Sequence, residues 1–139
     1  MTNKGKIIQI IGPVVDVEFS EEGKLPQLLN ALKVRSGKNE IILEVVKHLD
    51  PTRVRAISLQ STDGLQRGLE VEDTGKMIEV PVGPEVLGKL FDVCGNMIGE
   101  AGNPSASSGS TKKFKTFSPI HRQAPAFTEQ STKTEVFET

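Results

Sequence analysis

The sequence predicts a mainly β protein: a small closed barrel over residues 1–80, then a segment built on a different pattern. Three observations carry this. Short runs of β-forming residues recur through residues 6–80, at the spacing of about 8–12 residues that marks small sandwiches and barrels. Within the runs apolar and polar residues alternate, as in Val15, Val17 and Phe19 against Asp16 and Glu18, so one face is apolar. Finally, about 80 residues bury little surface, and closing one sheet removes edges that would otherwise invite aggregation.

The elements follow in order. Ile7–Ile11 reads as the first strand and Val14–Phe19 as the second. Gly12-Pro13 breaks the ladder between them, because proline donates no backbone hydrogen bond and glycine tolerates the bend. Leu25–Asn30 is expected to make a single helical turn. Ala31–Arg35 and Glu40–Leu49 flank Ser36-Gly37-Lys38-Asn39, a hairpin loop by composition. Asp50-Pro51-Thr52 turns the chain into a strand over Arg53–Gln60, and Thr62-Asp63-Gly64 turns it again. Met77–Val82 is expected to be the last strand of the group.

After Val80 the periodicity changes. Gly83–Phe91 reads as a short amphipathic helix, with Pro84 at the first helical position and Glu85 at the positive end of the helix dipole. Leu87, Leu90 and Phe91 would share one face. Phe91–Ile98 is expected to form a strand around Cys94. Residues 101–111 are rich in Ser and Gly and hold no large apolar side chain. They and the residues up to 118 are expected to form a mobile linker. Residues 112–139, interrupted by prolines, carry too little apolar surface to fold alone.

Composition excludes several classes. The chain has 139 residues, with 17 basic and 18 acidic side chains and a net charge of −1. That balance supplies no attraction to nucleic acid or to an anionic membrane. No apolar run approaches the roughly 18 residues of a membrane span, and the opening Met1-Thr2-Asn3-Lys4-Gly5 leaves no room for a secretory or transit segment before the first strand. Cys94 is the only cysteine, so no intrachain disulfide forms.

The motifs that resemble chemical sites fail on their own residues. Gly83-x-x-x-x-Gly88-Lys89 matches seven positions of a phosphate-binding loop. Leu90 stands where Ser or Thr would hold magnesium, Pro84 removes a cradling N–H, and Glu85 would repel phosphate. Gly95, Gly99 and Gly102 lack dinucleotide-binding spacing. His48 and His121 have no second His or Cys at metal-ligand spacing. His48 is placed on one strand face with Ile42 and Val46 as a packed or rim histidine, and Cys94 as a small buried filler. Glu21-Glu22 and the Lys112, Lys113, Lys115 cluster read as solvated. No catalytic, cofactor-binding or metal residue is assigned.

Three stretches carry a family signature: Ile10–Phe19; Val54–Ile57 with Ser61–Gly68; and Ser118–Arg122 through Glu129–Glu135 to Thr139. Asp73-Thr74-Gly75, Pro81-Val82-Gly83, Leu87-Gly88 and Pro119-Ile120-His121 recur in register with them. In this order they resemble the beta subunit of F-type ATP synthase, from about Lys4 to Thr139. The departures are a longer, Ser-rich stretch at 103–111, and Lys89 where that family more often has Arg. The resemblance implies that residues 1–80 are a six-stranded collar barrel. It implies that 81–139 are the incomplete beginning of an α/β nucleotide-binding domain. The phosphate-binding loop, catalytic carboxylate and adenine pocket would lie beyond Thr139. This chain itself would then bind no cofactor and be inactive, with Mg-ATP/ADP held by the parent protein. Its partners would be alpha and beta subunits of the same ring and a central-stalk subunit, with no nucleic acid and no membrane insertion. Its place would be the soluble face of an energy-transducing membrane.

Two other readings compete. A free-standing small barrel could bind single strands through aromatic platforms, but the chain has no Trp or Tyr and only Phe19 among six Phe falls within the barrel. A structural adaptor joining collars without catalysis is the other. Within the rotary family an alpha-type or secretion-type subunit is the nearest competitor.

Overall fold

Six strands close into an antiparallel barrel in the order β1-β2-β5-β4-β3-β6. They are β1 (Lys4–Ile11), β2 (Val14–Phe19), β3 (Asn30–Ser36), β4 (Asn39–His48), β5 (Arg53–Ser58) and β6 (Glu70–Met77). The computed structural model of the chain describes residues 3–20, 24–100 and 114–130. The mainly β, closed-barrel class expected from the alternation is the class observed.

Alternation becomes burial directly. On β2, Val15, Val17 and Phe19 are fully enclosed; on β4, Ile41, Leu43 and Val45 are; Leu32 and Val34 face them from β3. Ile7, Val54, Ala56 and Val71 complete the interior, and Ile10, Leu25, Leu65 and Leu69 pack against it. Each large aliphatic side chain so enclosed contributes about 1.5–3 kcal/mol relative to exposure. Gly5 has its own reason to be glycine: a Cβ there would lie 2.7 Å from the Glu18 carbonyl oxygen and 2.9 Å from Val17 Cγ1.

Bulges curve the wall. β1 shifts register between Ile7 and Gln9, leaving Ile8 as the extra residue, and β4 shifts between Val45 and Lys47. An extra residue on one strand bends it and increases its twist, which closure requires. The β4 bulge also reverses parity. His48 therefore pairs with the buried Val54 instead of sharing a face with Ile42 and Val46 as expected. Its Nε2 donates to the Pro26 carbonyl at 2.7 Å, which makes it a rim residue.

The loops plug both ends. At one rim Gly12, with φ 56°, turns β1 into β2. Thr62 Oγ1 donates to its carbonyl at 2.9 Å, and Ser36 Oγ donates to the Gly64 carbonyl at 3.0 Å. The signature stretches around Gly12 and around Thr62 thus meet in space. At the other rim Phe19 N donates to the Thr52 carbonyl at 2.8 Å.

Several expectations are corrected. The sixth strand is Glu70–Met77, not Met77–Val82. The acidic run Glu70-Val71-Glu72-Asp73 offers only Val71 to the core, so periodicity alone passes over it. Residues 24–29 contain no helix but a turn at Leu28-Leu29, with Leu29 at φ 70°. The helix expected over 83–91 is a single 3-10 turn, Pro84–Val86. Gly88, at φ 74°, ends it, and Leu87 and Leu90 are exposed. The strand expected over 91–98 is a hairpin of β8 (Lys89–Phe91) and β9 (Met97–Glu100). Cys94 sits in its turn and is half-buried, not enclosed.

Beyond the barrel, β7 (Glu79–Pro81) follows β6 after one residue and pairs antiparallel with β10 (Phe117–Pro119). Of the linker expected over 101–118, residues 101–113 lie outside the described residues. Phe114 is buried and packs edge-to-face on Phe91, ring centres 5.4 Å apart.

Candidate interaction surface

The outer wall of the barrel is organised in rows by strand register. One row runs Arg53, Glu18, Lys6, Glu70 across β5, β2, β1 and β6, alternating in sign, with all four side chains exposed. Beside it Lys4 pairs with Glu72 and Glu72 with Lys33. Lys4 Nζ lies 2.7 Å from Glu70 Oε1 and Lys33 Nζ 3.1 Å from Glu40 Oε1. Opposite charges facing each other across strands contribute roughly 0.2–1 kcal/mol each. The carboxylate of Glu70 holds the Lys4 ammonium above its ordinary pKa, first through a hydrogen bond and then by charge. This belt alternates in sign and presents no one-signed field to a nucleic acid.

The next row is Gln9, Asp16, Arg55, Lys47. Arg55 Nε and Nη2 donate to the two Asp16 oxygens at 2.8 and 2.9 Å. This fork matches the carboxylate plane, the arrangement in which an ion pair is strongest. The Asp16 side chain is only 6% exposed against 41% for Arg55. The sequence places Asp16 on the polar face, as found, but gives no sign that this face buries it. Asp16 holds the guanidinium above its usual pKa.

The row above is apolar: Ile11, Val14 and Ile57 stand in register across β1, β2 and β5. Ile11 is 60% and Ile57 37% exposed. The row ends at Glu44 on β4, opposite Ile57. Glu44 accepts a hydrogen bond at 2.7 Å from Nε2 of His121, 77 positions away. Neither residue stands out in the sequence as one of a pair; the contact is made only when the chain returns along β10.

A groove of about 740 Å³ lies between the β3–β4–β6 wall and the β7–β10 ribbon, lined by Lys33, Arg35, Glu72, Ile78, Cys94 and Phe117 among others. Its charges are mixed, and two of its lysines are tied, Lys33 to Glu40 and Lys76 to Glu79. Burial, and then the nearby Asp92 charge, push the Cys94 thiol up, which disfavours a nucleophilic thiolate.

The loop resembling a phosphate cradle is occupied by structure. Lys89 Nζ donates to the Glu85 carbonyl at 2.8 Å and lies 5.1 Å from the Phe114 ring centre. Gly83 and Gly88 flank a 3-10 turn, and Lys89 opens strand β8 where a phosphate-binding loop would begin a helix. His48 and His121 are held apart by different partners. Among the described residues, no group of three or more His, Cys, Asp or Glu side chains gathers for a metal ion. No helix among them is long and apolar enough to cross a membrane.

The chain thus forms a closed six-stranded antiparallel barrel whose Asp16–Arg55 and Glu44–His121 pairs lie on the outer wall. Residues 7–75 match the ATP synthase alpha/beta family, beta-barrel domain. The matched segment runs from Ile7, within β1, to Gly75, within β6, and the barrel of this chain is similar to that domain.

Proposed function

We propose that the chain is the N-terminal part of the beta subunit of a rotary F-type ATP synthase. Its barrel packs between alpha and beta neighbours in a hexameric collar, and the segment from residue 81 opens the nucleotide-binding domain. The parent protein couples ATP synthesis or hydrolysis to proton or sodium transport. Mg-ATP or ADP is held by sequence beyond this chain, and the parent works peripherally on the soluble face of its membrane. The observation that carries this reading is the family match over residues 7–75. The Ser61-Thr62-Asp63-Gly64-Leu65 and Pro119-Ile120-His121 signatures favour beta over alpha.

The Ile11–Val14–Ile57 row supplies the side contact. It is the part of the described barrel wall where three exposed or half-exposed apolar side chains stand in register, next to the row that holds the Asp16–Arg55 pair. Apolar area there is removed from water when a neighbouring barrel covers it, at about 25 cal/mol per Å².

The test is sedimentation of the chain mixed with an alpha subunit of the family, and of a variant carrying Ile11→Asp and Ile57→Asp. The wild-type chain co-sediments and the variant does not, although its circular dichroism is unchanged. Absence of any complex with the wild type refutes the collar reading, whereas equal binding by the variant refutes this contact face. The chain alone leaves Mg-ATP unbound at micromolar concentrations by calorimetry; micromolar binding contradicts the assignment of the nucleotide site to later sequence.

A further inference from the structure

We infer that the His121–Glu44 pair is a brace that locks the β7–β10 ribbon onto the barrel wall and so fixes the direction in which the chain leaves the barrel. The argument is one of attachment points. The ribbon leaves β6 through Met77-Ile78, and Ile78 is buried at the junction. Held there alone, the two strands could swing about that junction as one body. Their own ladder does not prevent this: Phe117 to Pro119 pair with Pro81 to Glu79 within the ribbon, and the bond from Ile120 N to the Ile78 carbonyl at 3.0 Å sits at the hinge itself, where a swing strains and opens it.

A second attachment away from the first removes the swing. Glu44 provides it, on β4, two strands from β6 around the barrel. Its neighbours in register are Ala31 on one side and Ile57 on the other. Between apolar neighbours the Glu44 side chain is 14% exposed, whereas His121 is 40% exposed. Among the described residues, His121 supplies the one side-chain hydrogen bond that Glu44 accepts. A carboxylate so placed needs a donor, because an unpartnered buried charge is costly. The need is met from the ribbon and not from the barrel, so satisfying Glu44 and docking the ribbon are the same event. His121 is a positioning residue: it touches no reacting group, and the brace acts whether or not the barrel sits in a ring.

The test is amide hydrogen exchange on the full chain and on His121→Ala, Glu44→Ala and the double variant. Ile120 N–H reports the ribbon junction; Val34 and Val45 report the barrel. Losing a charge-assisted hydrogen bond speeds local opening by about tenfold. Exchange at Ile120 is expected to rise by that factor in either single variant, with Val34 and Val45 unchanged. In the double variant the rise should be no greater than in the singles, because the two residues act through one bond. Unchanged exchange at Ile120, additive effects in the double variant, or equal acceleration of the barrel amides would each overturn the brace.

Discussion

Removing Arg55 should cost more stability than removing Asp16, although the two share one pair of hydrogen bonds. The asymmetry comes from burial. Asp16 is 6% exposed and Arg55 41%. In Asp16→Ala the guanidinium left behind turns to water and keeps its hydration, so the loss is that of a partly solvated charged pair, about 1–2 kcal/mol. In Arg55→Ala the carboxylate left behind is enclosed with neither 2.8 nor 2.9 Å donor, and an uncompensated buried charge costs about 3–5 kcal/mol. The difference of about 2 kcal/mol corresponds to roughly 8–16 °C in Tm for a domain of this size. Urea melts of both variants and the double variant, followed by circular dichroism, measure it. The double variant should be more stable than Arg55→Ala alone, because it removes the stranded charge. If Asp16→Ala is the more damaging single change, the burial argument is wrong.

Three further outcomes follow from other parts of the wall and its loops. Gly5→Ala, whose new methyl would meet the Glu18 carbonyl at 2.7 Å, should lower stability by about 1–3 kcal/mol in a urea melt; a change within 0.5 kcal/mol would contradict the close approach of β1 to β2. Asp50 accepts first from the Thr52 backbone N–H and also from Arg53, which holds its carboxyl below the usual 3.8. A lowered carboxyl stabilises the fold above that ordinary value and loses the effect as pH falls through the lowered one. Asp50→Asn should therefore be less stable than wild type at pH 7, and the gap should close in acid; a gap independent of pH would refute this. Cys94, pushed up by burial and by Asp92, should react several times more slowly with iodoacetamide at pH 8 than free cysteine does, and equal rates would show it to be open to solvent.

How much was legible depended on the range of the interaction. Val15, Val17 and Phe19 announce their strand because a period of two is local and burial follows it directly. The hairpin around Gly37 and the break at Gly12-Pro13 are written in the backbone limits of two residue types. Glu70–Met77 could not be read this way. It is a strand because β1 and β3 pair with it on both sides, and its single core residue, Val71, gives no period. The expected helix over Gly83–Phe91 failed for the opposite reason. The i, i+3, i+4 spacing of Leu87, Leu90 and Phe91 is there, but Leu87 is left exposed among the described residues, and Lys89–Phe91 pairs with Met97–Glu100 instead.

The family signature was legible as ordered short motifs, and the structure shows what two of them do: the Gly12 turn and the Thr62 loop bond to each other and close a rim. The Asp16–Arg55 fork lies 39 positions apart in sequence and the His121–Glu44 contact 77. Local pattern holds no information at that distance, because a one-residue change of register would separate either pair.

By itself, then, the sequence determined a closed β wall, its two sharpest turns and the family domain that its barrel resembles, since each depends on alternation, backbone permissiveness or motif order along the chain. Tertiary structure alone decided which carboxylates are enclosed, which strand completes the ring of six and where the returning chain is fastened. Those depend on strand register and bulges, which bring distant residues to one place and set which side of the wall each of them faces.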